Sequence, residues 1–181
     1  PKMRAPKDYF DLSQQPSPID PQQDVWSLLQ KGAKKAWILE HIKPNAQLIK
    51  TQDGLVLTHQ VISVSRGTFE VFPGAFIDGD MIEIHAGCRI ESGAYISGPT
   101  VIGEGTVVRH GSYIRGELWT GTNCVIGHAT EVKSAIFLNG AKAGHFAYVG
   151  DTILGQNVNL GAGTKISNLK ITDTSIILTF E

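Results

Sequence analysis

The chain has 181 residues, a formal net charge of −1 at pH 7 and 41% hydrophobic residues. This balance lacks the basic excess that favours nucleic-acid binding, and no apolar run approaches the roughly 20 residues of a membrane-spanning helix. No signal peptide opens the sequence, so we expect a cytoplasmic protein without a nucleic-acid or membrane partner.

The first 75 residues are predicted to form a separate N-terminal region. Residues 1–19 are rich in Pro, Gln and Asp and are expected to lie over the surface as an arm. Asp20 followed by Pro21 predicts a helix start, because Asp is a favoured N-cap and Pro fits the first turn. An apolar stripe extends this helix to a stop before Pro44; its members are Val25, Leu28, Leu29, Ala36 and Leu39.

A hairpin is predicted after this helix. Asp53-Gly54, between residues 47–51 and 55–57, is a sequence typical of a two-residue hairpin turn. We expect the helix and the hairpin to cap the open end of the region that follows, because an uncovered strand edge invites aggregation.

From Ile84 onward an aliphatic residue returns at every sixth position, which is the pattern of a hexapeptide repeat. Its members are Ile84, Ile90, Ile96, Ile102, Val108, Ile114, Ile126, Val132 and Leu138. Three six-residue strands make one triangular coil, so residues about eighteen apart stack at about 4.8 Å. Thr120 interrupts the pattern, and the turns after Leu138 and Val149 are each one residue short.

This repeat predicts an all-β fold, a left-handed parallel β-helix over residues 76–181, with residues 1–75 as its α-helix and hairpin cap. An antiparallel sandwich would need period-two alternation and hairpin turns, which this part of the sequence lacks.

The two cysteines fall among the small residues expected inside the coils. Cys88 and Cys124 are two coils apart, which corresponds to about 9.6 Å and is too far for a disulfide. We therefore expect two free thiols in the core of a protein from a reducing compartment.

Chemistry is expected from side chains that point outward. His110, His128 and His145 fall at equivalent positions of successive coils and are predicted to form a histidine ladder. Arg115 and Lys133 occupy one column of the neighbouring face, where two cations would repel each other unless an anion lies between them. A phosphate group suits that position.

Three motifs then follow in order: GHATEVK at 127–133, KAGHFAYVGD at 142–151 and NVNLGAGTKISN at 157–168. Over roughly residues 96–168 they resemble the acetyltransferase domain of the bifunctional glucosamine-1-phosphate acetyltransferase/N-acetylglucosamine-1-phosphate uridyltransferase family, and still more its short sugar nucleotidyltransferase-like relatives. The resemblance implies a hexapeptide-repeat acyltransferase that takes acetyl-CoA as co-substrate and a sugar phosphate or nucleotide sugar as acceptor. It also implies a homotrimer with active sites between subunits.

The resemblance implies a role for each matching residue. His145 would be the catalytic base that takes a proton from the sugar amine, a task suited to an imidazole because it titrates near neutral pH. Arg109 and Lys133 would bind the sugar phosphate and uridyl phosphate, and Tyr148 and Asn159 would hold the sugar.

The acyl donor would lie at the end of the third motif. Asn168 matches a position beside the bound donor. Gly163 belongs to the turn at 161–164, whose backbone amides are candidates for stabilising an oxyanion.

The sequence departs from this family after Asn168, where Leu169-Lys170-Ile171 replaces the family's Tyr-Asp-Gly loop. Further coils for the coenzyme A groove are expected to be missing. Residues 171–181 are predicted to form an apolar strand or arm, so we expect either that the chain is truncated or that this segment pairs with a neighbour. No Gly-rich nucleotide loop with a following lysine marks a uridyltransferase half.

Two alternatives to an acyltransferase stay open. The first is a non-catalytic trimerising module that keeps the sugar-phosphate pocket and serves a nucleotidyltransferase. The second is a zinc enzyme like the β-helical carbonic anhydrases. That family has two of its histidines five residues apart, a pair that this ladder lacks, so no metal is expected.

Overall fold

The computed structural model describes residues 5–13 and 17–167, and most of them form a parallel β-helix of about five turns. The predicted β-helix is thereby confirmed. Each turn places one strand or half-strand on each of three faces, which we call faces 1, 2 and 3 in the order that the chain visits them.

Face 1 is a seven-stranded sheet whose first pair is antiparallel and whose other pairs are parallel. In spatial order it contains β1 (Gln60–Val64), β2 (Gly67–Val71), β5 (Arg89–Ile90), β8 (Val107–Val108), β11 (Val125–His128), β13 (Lys142–His145) and β15 (Asn159–Leu160).

Faces 2 and 3 are joined because two long strands bend around the corner between them. Face 2 contains β3 (Phe76–Asp78), β6 (Tyr95–Ser97), β9 (Tyr113–Ile114), the first halves of β12 (Glu131–Phe137) and β14 (Tyr148–Leu154), and β16 (Lys165–Ile166). Face 3 contains β4 (Ile82–Ile84), β7 (Thr100–Ile102), β10 (Leu118–Thr120) and the second halves of β12 and β14.

The interior is a stack of aliphatic side chains from the three faces. On face 1, Ile90, Val108, Ile126 and Ala143 are in register and almost completely buried. Removing this apolar surface from water is the main term that stabilises each coil, at roughly 25 cal/mol per Å².

One part of the predicted register is wrong. Phe137, not Leu138, pairs with Thr120 and belongs to the interior cluster, whereas Leu138 packs in a second cluster on the outside of face 3. The short turn therefore lies before residue 138 rather than after it. The second predicted short turn, after Val149, is correct, because Leu154 pairs with Phe137.

The predicted single helix is divided. A 3-10 helix spans Val25–Leu29 with Asp24 as its N-cap, and helix α1 spans Ala33–His41. Gly32, with φ of 80°, separates them. Helix α1 lies against face 3, where Ile38 is 1% exposed in a cluster with Trp119 and Ile136. It therefore covers the side of the β-helix and not its end.

The end is covered by the segment after the helix. Ala46, Ile49 and Val56 belong to the interior cluster, and Val56 donates its N–H to the carbonyl of Ala75. The predicted turn at Asp53-Gly54 forms, with positive φ at both residues and reciprocal hydrogen bonds between Gln52 and Leu55. Its predicted flanking strands do not form; a 3-10 helix at Ala46–Leu48 precedes it, and the hairpin is instead β1–β2.

The described part of the N-terminal arm also packs on face 3. Ile19 is 2% exposed in the same outer cluster, and Phe10 and Leu12 lie against it. The side chain of Gln156 donates to the carbonyl of Asp11. The predicted surface arm thus contributes apolar contacts to this face. Residues 171–181, predicted as a strand or arm, lie outside the described residues.

Candidate functional site

The predicted histidine ladder lies at the corner where face 1 turns into face 2, which we call the histidine corner. The rings of His110 and His128 are stacked at 5.7 Å with planes 11° apart. His128 and His145 are in register on adjacent strands β11 and β13. All three side chains are exposed, so the ladder is available to a ligand.

Hydrogen bonds define which nitrogen carries the proton in two of these rings. Nδ1 of His110 lies 2.6 Å from the carbonyl of Ser92, and Nδ1 of His128 lies 3.2 Å from the carbonyl of His110. Because a carbonyl oxygen can only accept, each Nδ1 must donate, and Nε2 is the unprotonated nitrogen in the neutral ring. Within the described part of the chain, the His145 imidazole has no hydrogen-bond partner.

A column of glycines lies beside the ladder on face 1. Gly127 packs so closely on the backbone of Gly144 that a Cβ at residue 127 would overlap the Gly144 carbonyl. A Cβ at Gly144 would instead lie 3.8 Å from Nη1 of Arg109. The bare backbone therefore gives the Arg109 guanidinium room to reach the coil that carries His145.

The cationic part of the site lies across the corner on face 2. Lys133 is exposed on β12 and pairs with Gly150 of β14. The ring of Tyr148 folds over Gly150, where a Cβ would lie 2.9 Å from its Oη. Lys133 and Tyr148 therefore lie on the same outward side of face 2, on adjacent strands.

Arg115 lies one coil before Lys133 in the same column. Its Nη1 donates to Oε1 of Glu131 at 2.8 Å, and this bond raises the pKa of Arg115. The anion expected between the two cations is therefore supplied at Arg115 by a carboxylate of the chain. The sequence pattern alone did not predict a role for Glu131, although its position two residues before Lys133 places it beside the cations.

Helix α1, which lies against face 3, also reaches the bend where face 2 turns into face 3. Lys34 is 3% exposed, donates to the carbonyl of Leu28 at 2.9 Å and lies near Glu117 and Asp151. Burial lowers the pKa of Lys34, and the two carboxylates oppose that effect. Asp151 directly follows Gly150, which pairs with Lys133. The N-terminal region therefore contacts the bend between faces 2 and 3 close to Lys133.

The remaining predicted residues fall at different places. Asn159 is exposed at the start of β15 on face 1, in register with Lys142. Gly163 lies in the turn one coil after His145 and donates its N–H to the carbonyl of His145 at 3.1 Å. The N–H of Thr164 donates to the carbonyl of Gly161. These two amides are therefore already paired. Asn168 lies outside the described residues.

Other concave regions lie away from this corner. A cleft of about 490 Å³ between the β1–β2 hairpin and face 3 is lined by Trp119, the Glu83–His85 pair and Arg66, among others. Among the described residues, no three His, Cys, Asp or Glu side chains are grouped to hold a metal ion. No helix in the described ranges is long and apolar enough to cross a membrane.

Comparisons with known proteins match the β-helix. Residues 96–179 match the family model of the GMPPB C-terminal domain. The bifunctional sugar-1-phosphate nucleotidylyltransferase/acetyltransferase of Sulfurisphaera tokodaii is 40% identical over 48 residues, which are 26% of this chain and 12% of that protein. The bifunctional protein GlmU of Legionella pneumophila (strain Corby) is 58% identical over 38 residues, 21% of this chain and 8% of that protein.

A longer match is to the bifunctional protein GlmU of Acinetobacter baylyi, 30% identical over 138 residues. It covers 65% of this chain and 30% of that protein. The chain thus matches less than a third of the length of these relatives. In sequence the chain is similar to GlmU-type bifunctional proteins, and this similarity supports a relation to the sugar nucleotidyltransferase and acetyltransferase families.

Proposed function

Because the chain is similar in sequence to the GlmU-type bifunctional proteins, we propose that it is a cytoplasmic acetyltransferase acting on a sugar phosphate or nucleotide sugar. The observation that carries this proposal is the histidine corner, where an exposed imidazole ladder on one face adjoins Lys133 and Tyr148 on the next. The proposed base and the proposed phosphate-binding cation are therefore carried by the same β-helix.

In the proposed reaction, the amine of the acceptor sugar attacks the thioester carbonyl of acetyl-CoA. A carbon–nitrogen bond forms, the carbon–sulfur bond breaks, and coenzyme A leaves as the thiolate, which is protonated to the thiol by the proton that His145 has taken from the amine. His145 takes the proton that the amine loses, a task suited to a ring with no competing hydrogen bond among the described residues.

The phosphate of the acceptor binds on the face 2 side. Lys133 supplies a positive charge there, and the hydroxyl of Tyr148 supplies a donor. Arg115 joins them when the phosphate displaces Glu131, because that ion pair is exposed to solvent and exposed pairs contribute little to stability. Arg109, from face 1, and Asn159 contact the sugar or its nucleotide.

We also propose that three copies of the chain assemble, with the acyl donor bound between neighbours near Gly163 and Asn168. The paired amides of Gly163 and Thr164 favour a second candidate function, a module that binds the sugar phosphate without transferring an acyl group. In that case the site would bind its acceptor and not acetyl-CoA.

The test is calorimetric titration with glucosamine 1-phosphate, a uridine diphosphate sugar and acetyl-CoA, together with an acetyl-transfer assay and sedimentation. Lys133→Met should weaken sugar-phosphate binding about tenfold or more, since hydrogen bonds to charged groups contribute about 1.5–3 kcal/mol. Lys35→Met, an exposed cation on α1, is the matched control and should bind normally.

The transfer step is tested separately. His145→Gln should leave binding of the sugar phosphate intact and lower the rate of transfer about 10²- to 10⁴-fold. Sugar-phosphate binding without acetyl-CoA binding would establish the non-catalytic module. If none of the three compounds binds, both functions are wrong.

A further inference from the structure

Phe146 occupies a backbone position that every other coil among the described residues fills with a small residue. This position is the first corner after face 1, and its backbone is left-handed in each coil. The φ angles there lie between 49° and 87°. The other occupants are Gly74, Gly93, Gly111, Ala129 and Gly163.

The conformation disfavours a phenylalanine. At φ of 52° the Cβ of an L-residue crowds the following carbonyl, which is why glycine predominates at such positions. A bulky side chain with positive φ is uncommon, and retained backbone strain clusters at functional sites.

Burial does not compensate for this conformation. Phe146 is 63% exposed, more than any other large hydrophobic side chain in the described part of the protein. Its aromatic contact is one edge-to-face approach to His128, with ring centroids 5.6 Å apart. The ring is therefore held in water, at a cost to the fold. Phe146 directly follows His145, which the proposed reaction makes the base, and lies two residues before Tyr148, which that reaction places against the phosphate.

We infer that Phe146 is a specificity-determining residue whose ring packs against the apolar face of the acceptor's sugar ring. This inference rests on the proposed function, because it assumes that His145 addresses the sugar amine. The imidazole and the phenyl ring come from consecutive residues, so a sugar held within reach of His145 has one face available to Phe146. An apolar ring in this place favours a ring-shaped acceptor over an open-chain amine or free phosphate.

The test compares Phe146→Gly with Ala129→Gly, which changes the same corner position one coil earlier. Glycine relieves the left-handed backbone in both variants, so neither should lower the thermal midpoint. Phe146→Gly should weaken glucosamine 1-phosphate about tenfold and leave inorganic phosphate binding unchanged. Ala129→Gly should bind both as the unchanged protein does, and Phe146→Tyr, which keeps the ring, should retain most of the affinity.

The outcomes separate this inference from the proposed function. If the unchanged protein does not bind glucosamine 1-phosphate, the proposed function fails and this inference fails with it. If it binds and Phe146→Gly binds equally well, only the inference is wrong. A large fall in the thermal midpoint, or a change in sedimentation with Phe146→Gly, would show instead that the ring packs within the fold or between copies, and would also overturn the inference.

Discussion

At the scale of single residues, the two cysteines show that polar side-chain atoms inside the coils are satisfied by hydrogen bonds to the backbone. Cys88 and Cys124 are free and buried, as predicted, and each thiol donates to a carbonyl of the next coil. The acceptors are Gly103, at 3.1 Å from Sγ, and Leu138, at 3.3 Å. Burial raises the pKa of each thiol to about 11.

These pKa values predict a loss of stability at alkaline pH. An unfolded thiol ionises near pH 8.5, so between about pH 8.5 and 11 the folded protein keeps protons that the unfolded chain has lost. The free energy of unfolding should therefore fall by about 1.4 kcal/mol per pH unit for each thiol. Urea titrations at pH 8, 9 and 10 should show a shallower fall for the double variant Cys88→Ala, Cys124→Ala. Parallel curves for the two proteins would contradict the prediction.

The burial of these cysteines could be predicted from the sequence, because small residues that recur every six positions form a pattern that is visible locally. The sequence could not reveal how irregular positions are accommodated. Thr120 stands where an aliphatic residue is expected because its hydroxyl accepts from the N–H of Gly103 at 2.8 Å. Phe137, which pairs with Thr120, fills the interior of the next coil, so the short turn lies before residue 138 and not after it as the six-residue count predicts.

At the scale of elements, strand spacing at the site is set by glycine. Gly127, Gly144 and Gly161 occupy the same outward position of face 1 in three successive coils. A Cβ would overlap the Gly144 carbonyl at residue 127, but would contact nothing within 4 Å at residue 161. The same substitution should therefore have opposite consequences at two equivalent positions.

Gly127→Ala should destabilise the protein by about 2–4 kcal/mol, because the clash is with backbone and cannot be relieved by a side-chain rotation. Gly161→Ala should be neutral or slightly stabilising, since it lowers the entropy of the unfolded chain. Chemical denaturation of both variants checks this. Equal effects would mean that coil spacing at Gly127 is not limited by contact.

The N-terminal elements were less predictable than the strands. Apolar residues between Val25 and Leu39 correctly indicated a helical region, but propensity did not reveal the break at Gly32. The position of α1 depends on the outer surface of face 3, where Val101, Trp119 and Ile136 point away from the interior. A six-residue count identifies inward positions and says nothing about which outward positions another element will cover.

At the scale of the whole molecule, the β-helix is nearly one-dimensional, since each coil contacts mainly the coils before and after it. The N-terminal end is closed by the segment at 46–56 and by β1. Central strands such as β9 and β11 have partners on both sides, and Ile114 and Ile126 are completely buried. In the last described coil, Leu160 and Ile166 are only partly buried. The six-residue repeat alone predicts the fold class. The candidate site combines residues of two faces, and only the register of the strands shows that these residues lie close together.

Stability should therefore decrease along the axis from the central coils toward β15 and β16. In a stack of this kind, local opening begins in the coils whose interior side chains are less buried, so amide hydrogen exchange reports each coil separately. We expect the slowest exchange in β9 and β11 and the fastest, among the β-helix strands, in β15 and β16. Leu160→Ala should accelerate exchange only in the last coils, whereas Ile126→Val should lower protection in every coil because it weakens the centre on which both ends are stacked. Uniform exchange in all strands, with either variant affecting all of them equally, would show that the β-helix opens as a single cooperative unit.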